Sequence, residues 1–148
     1  MLIQTLLSLF ERDLNKLIAE INLYKKEENI WRTEKNISNS AGNLALHLIG
    51  NLNTYIGKEI GKTTYVRNRE LEFSQKNIAR QELIEKLNDT ISVVKKSLAT
   101  LTSEDLNSEY PILVFAEKTT TEYLLVHLST HLAYHLGQVN YHRRLIEE

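Results

Sequence analysis

The 148-residue sequence contains no cysteine. Disulfides, thiolate metal sites, cysteine nucleophiles and iron–sulfur ligation are thereby excluded together, and any metal must be held by histidine, carboxylate or water. There is one proline, Pro111, and there are five glycines, so few breakers interrupt the chain and long helices are expected. Lys and Arg total 18 against 19 for Asp and Glu, a formal net charge of -1. Without a basic excess to neutralise a run of phosphates, nucleic acid is not an expected ligand. No apolar run approaches the ~18 residues that span a bilayer, so no membrane partner is expected either. The apolar start MLIQTLLSLFERD lacks the basic stretch and small-residue cleavage site of a secretion signal, which points to the cytoplasm.

What is present is the composition of one globular domain, 1–148, with 42% hydrophobic and 25% charged residues. From Leu2 to Tyr24, Ile3, Leu6, Leu7, Phe10, Leu14, Leu17, Ile18 and Ile21 recur at three- and four-residue spacings, the stripe of a first helix. Lys25 to Asn36 reads as a connection with Trp31 as a packing plug. Ser38 or Ser40 can cap a second helix that runs to about Gly57 and turns Leu44, Leu48, Leu52 and Tyr55 inward, with Gly57 and Gly61 as left-handed stops. Lys62 to Asn77 is polar and irregular. A third helix is expected from about Arg80 to Leu101, followed by an extended apolar piece, Ile112 to Phe115, that covers one end. Thr119 and Glu122 have the spacing of a capping box for a fourth helix that continues to the C-terminus. The fold class is therefore all-α, a four-helix bundle.

Four of the five histidines, His127, His131, His135 and His142, lie in the fourth helix at spacings of four, four and seven. At ~100° per residue they form one stripe on the face that also carries Leu124, and His47 flanks the apolar face of the second helix. All five can converge on one interior surface. A single inward imidazole is most simply a hydrogen-bonded core residue. A stripe of them needs a partner for each ring, which Leu would not, and a metal ion satisfies several at once. His127 and His135 are ~11–12 Å apart along the axis and cannot share an ion. If the second and fourth helices run antiparallel, His47 pairs with His131 and His135 rather than with His127 and His131. Such a site has three nitrogens and open positions for water or substrate. No H-E-x-x-H or E-x-x-H motif is present, which sets aside zinc proteases and di-iron bundles. His127, Asn43, Asn51, Tyr134 and Gln138 are candidates for holding the ligands from behind.

GNLALHLIGNL around His47 and HLSTHLAYHLGQVNYHRR near the C-terminus resemble the DinB-like superfamily, and most of all its small damage-inducible-type bundle proteins. The resemblance spans almost the whole chain, with these two segments its specific part. It implies up-down-down-up topology and a divalent metal, zinc or nickel first and iron or manganese next, on His47, His131 and His135, with His127 an inner neighbour. Some relatives join a low-molecular-weight thiol to an electrophile and others are described as metal-dependent hydrolases, so a small-molecule substrate or such a thiol is the implied partner. No residue here matches a thiol-cofactor pocket. A non-catalytic or stress-associated metal protein and a metal-free interaction module are the competing readings. Leu46 and Ile49, with Leu125, Leu132 and Leu136, make both histidine-bearing helices apolar over a wide arc, and a homodimer is expected from that excess.

Overall fold

The computed structural model describes residues 1–147 and contains six helices: α1 (Leu2–Leu23), α2 (Ala41–Leu52), α3 (Arg69–Ser74), α4 (Arg80–Leu98), α5 (Ser103–Asn107) and α6 (Thr121–Ile146). The stripe of α1 is buried as its spacing dictates, with Leu6, Phe10, Leu14, Leu17 and Ile21 at most 2% exposed. Trp31 closes a short 3-10 turn and is buried against the core. Ser40 is the cap of α2, its hydroxyl accepting from the Asn43 amide.

Side-chain contacts fix the direction of each helix. Arg80, at the start of α4, donates to the carbonyls of Asn22 and Tyr24 at the end of α1, and Lys95 pairs with Glu11, so these two helices are antiparallel. Asn140 and Arg143, late in α6, both bond Glu20, late in α1, so α1 and α6 are parallel. Asn53 bonds Thr90, Gly57 packs on Val93 and Gly61 on Ser97, which makes α2 and its extension parallel to α4. The four long elements therefore run up, down, down and up. No helix among the described residues is long and apolar enough to cross a membrane.

Four details differ from the pattern read in the sequence. The second helix ends at Lys58, beside the expected Gly57, after passing into a π-helical turn, Asn53–Lys58, but the left-handed residue beyond it is Lys62 (φ 57°). No glycine has positive φ. Gly57 and Gly61 are small because α4 passes close by: a Cβ on Gly57 would lie 2.8 Å from Val93 Cγ1, and one on Gly61 would overlap the Ser97 hydroxyl. The third helix ends at Leu98. The N-cap of α6 is Thr120, not Thr119, and the capping box forms instead between Thr102 and Asp105 at α5.

The segment after α5 is a loop pinched at its neck rather than an extended piece. Tyr110 N–H donates to the Thr119 carbonyl, and its buried hydroxyl donates to the Tyr55 carbonyl at 2.6 Å. The loop still covers one end of the bundle, through Ile112, Val114 and Phe115.

All twelve residues of α2 are buried. Helices α4 and α6 flank it, and α3 covers its outer side. Leu46 and Ile49 are 8% exposed, and Leu125 and Leu132 are fully buried. Four of the five apolar residues from which a homodimer is expected are thus covered within the chain, and the fifth, Leu136, is partly buried.

Candidate metal centre

The site begins with a clamp. Asn43, in the first turn of α2, donates through its side-chain amide to the backbone carbonyls of Glu72 and Gln75. Its own oxygen accepts from Ser40 and Lys76. These bonds hold α3 across α2 and aim the Glu72 side chain inward. A gap receives it, because a Cβ on Gly50 would overlap the Glu72 carboxylate. Glycine inside a helix costs about 1 kcal/mol relative to alanine, and here the close approach of a carboxylate explains its presence.

Glu72 is 5% exposed and would be costly to bury without partners. It has two. Arg67 grips it with two parallel bonds, Nε to Oε2 at 2.8 Å and an Nη to Oε1 at 3.0 Å, and His47 Nδ1 lies 3.1 Å from Oε1. A carboxylate only accepts, so His47 carries its proton on Nδ1 and turns a bare Nε2 lone pair to the interior. On α6, His135 Nδ1 is 2.7 Å from Gln138 Oε1, which likewise leaves Nε2 bare.

These two nitrogens converge on a third. His47 Nε2 is 3.3 Å and His135 Nε2 is 3.1 Å from His131 Nε2, and one nitrogen from each ring falls within 4.8 Å of the others. Two inward lone pairs face one nitrogen that can carry at most one proton. His131 Nδ1 is buried with no partner. A cation at the meeting point satisfies all three Nε2 atoms, and nitrogens bound tetrahedrally to zinc lie about 3.3 Å apart. The donor set thus fits a divalent metal. Burial is also the chief reason that the His47 and His131 pKa values fall below 6.5, His131 to about 4 with help from its histidine neighbours. Both rings are neutral at pH 7, the state that ligates.

The other sequence candidates take different places. His127 stacks on His131, rings 6.3 Å apart, and packs edge-on against Phe115. Asn51 is buried and its Oδ1 has no partner. Gln138 holds the outer nitrogen of His135, whereas Tyr134 is 65% exposed and touches His135 only through its ring. His142 does not join the cluster. Its Nδ1 accepts from the Tyr24 hydroxyl at 2.6 Å and its Nε2 donates to the Arg32 carbonyl at 2.7 Å, which ties α6 to α1 and the 3-10 turn.

Glu72 and Arg67 were not legible as site residues, since they lie in a polar stretch without periodicity. The available signal was Gly50, a helix breaker three residues after His47 within a leucine-rich helix.

On the side away from Gln138, a cavity of about 180 Å³ adjoins His47 and His131, walled by Asn51, Tyr55, Arg67, Arg69 and His127. Fold and site together define a four-helix bundle with three imidazoles converging beside an open cavity. The chain belongs to the family described as "Protein of unknown function (DUF1572)", whose model matches residues 2–148. It is similar to the crystal structure of the conserved protein of locus from Enterococcus faecalis, with a TM-score of 0.77 and 16% identity over 97% of this chain and 95% of that one, a likeness of fold. Curated proteins give no match.

Proposed function

We propose that the chain is a DinB-like mononuclear metal protein in which His47, His131 and His135 hold one divalent ion, zinc or nickel in preference to iron or manganese. The convergence of three Nε2 atoms, two with their outer nitrogens already engaged by Glu72 and Gln138, carries this reading. A divalent ion held this way supplies a Lewis acid that lowers the pKa of a bound thiol or water. The protein's own part is to keep the ligands neutral and oriented and to give a small molecule access. Glu72 fixes the His47 ring, Arg67 neutralises Glu72, and Val114 and Leu128 line the cavity with apolar surface. The cavity that adjoins His47 and His131 favours an enzyme, transferring a thiol to an electrophile or hydrolysing a small substrate, over an ion that merely ties α2 to α6.

Protein purified without an affinity tag should contain about one divalent metal per chain by elemental analysis. A hundredfold excess of metal over its Kd stabilises the fold by about 2.7 kcal/mol, so chelation should lower the melting temperature by about 5 °C or more. Added thiol or imidazole should change the spectrum of the cobalt-substituted protein. Absence of metal sinks the whole reading. A spectrum indifferent to added ligands sinks the enzyme and leaves the structural ion.

A further inference from the structure

The cavity beside the three imidazoles has a charge pattern of its own. None of its lining residues is acidic. The nearest carboxylate, Glu72, is spent on His47 and Arg67. Arg67 uses Nε and Nη2 on that carboxylate, and among the described residues its Nη1 has no partner, while its guanidinium lies 5.8 Å from the centre of the Tyr55 ring. Arg69 is exposed at the rim and makes no ion pair among the described residues. The same cavity is lined by Asn51, 7% exposed, with a buried Oδ1 that accepts from nothing. Burying an amide oxygen without a donor is unfavourable, and Asn51 stands in the cavity wall, where a turn of its side chain would bring that oxygen to a donor.

We propose that this cavity seats the anionic end of the substrate, a small organic carboxylate that carries a hydroxyl or amino donor beside the carboxyl group. The inference rests on the metal-centre reading above and adds the substrate class. The carboxylate lies between Arg69 and the free edge of Arg67, where planar guanidinium groups match its two oxygens. The adjacent O–H or N–H donates to Asn51 Oδ1, and the rest of the molecule extends toward His47 and His131. Two guanidinium charges less the Glu72 charge leave one positive charge from the side chains, which matches a monoanion better than a phosphate dianion. A volume of about 180 Å³ is below the usual ~300–1,000 Å³ of sites for drug-sized ligands and selects a molecule of few heavy atoms.

The test uses the full chain, with glycolate, acetate, glycolamide and inorganic phosphate as probes, by titration calorimetry or ligand-observed NMR. Each is measured on metal-loaded and on chelator-treated protein. Because the seat is built from side chains, glycolate should bind in both states and more tightly than acetate or glycolamide. Arg69→Gln, an exposed change that spares the core, should weaken glycolate about tenfold or more without altering metal stoichiometry. Asn51→Leu should abolish the preference for glycolate over acetate. The assignment is overturned if glycolamide binds as well as glycolate, if phosphate binds more tightly, or if Arg69→Gln has no effect. Loss of metal from the wild type, with the Arg69 dependence intact, would instead defeat the metal reading and leave the anion seat standing.

Discussion

Helix α6 presents two histidine environments eleven residues apart, and they differ in what surrounds the ring rather than in the stripe from which both arise. At His142 each nitrogen has a protein partner, the Tyr24 hydroxyl on one side and the Arg32 carbonyl on the other. The ring is closed off and acts as a joint between elements. At His131 one nitrogen meets two other imidazoles and the other meets nothing. That ring is left needing something the chain does not provide. The chemistry of a helical histidine is therefore set by the partners that tertiary structure supplies, and periodicity alone cannot separate a ligand from a strut.

The comparison breaks most sharply under alanine. His131→Ala should reduce bound metal from one per chain to near zero, yet cost only about 1 kcal/mol in chelator, since it removes a ring with an unsatisfied nitrogen. His142→Ala should leave metal stoichiometry intact and cost about 2–4 kcal/mol, because the Tyr24 hydroxyl and Arg32 carbonyl lose their partners. Elemental analysis and denaturant titration of both variants read the crossing. Equal metal loss from the two would erase the distinction.

A second change sharpens what makes the site end different. Glu72→Gln should weaken metal binding about 10- to 100-fold by removing the charge that orients His47, as measured by chelator competition. Gly50→Ala should act in the same direction by pushing the carboxylate out of its gap. If Glu72→Gln lowers the melting temperature and spares affinity, Glu72 is a strut like Tyr24.

The smallest expected effect is on pH dependence. Burial holds His47, His131 and His142 below the ordinary 6.5, so the unfolded chain takes up protons that the folded chain refuses. Stability contributed by these groups is complete above about pH 6.5 and is lost as pH falls from there toward about 4. In chelator, His142→Gln should flatten part of that loss, as seen in melting temperature against pH.

Most of the frame was readable in the sequence, because α1, α4 and α6 bury long stripes whose spacing survives in the structure. The three imidazoles were readable for the same reason, His131 and His135 being one turn apart and His47 lying on an antiparallel neighbour. The helix ends were not. Gly57 and Gly61 look like left-handed stops, yet they are small to let α4 approach, a requirement that exists only once α4 is in place. Glu72 was invisible for a related reason. It sits in a six-residue helix too short to show a period, and its partner His47 is 25 residues away. Asn43, which the sequence offers only as a support for the imidazoles, acts one step further back by holding the helix that carries Glu72.

The 84-position separation of His47 and His131 also bears on the order in which the molecule assembles. His131 and His135 meet as soon as α6 is helical, but joining them to His47 closes a loop containing all of α4. For a flexible chain that closure costs ~4 kcal/mol of entropy, a cost that the packing of α1, α4 and α6 offsets only after the bundle has formed. An ion on the three imidazoles would then act as a latch and not as a nucleus: it would slow the opening of the finished bundle while leaving the speed of folding nearly unchanged.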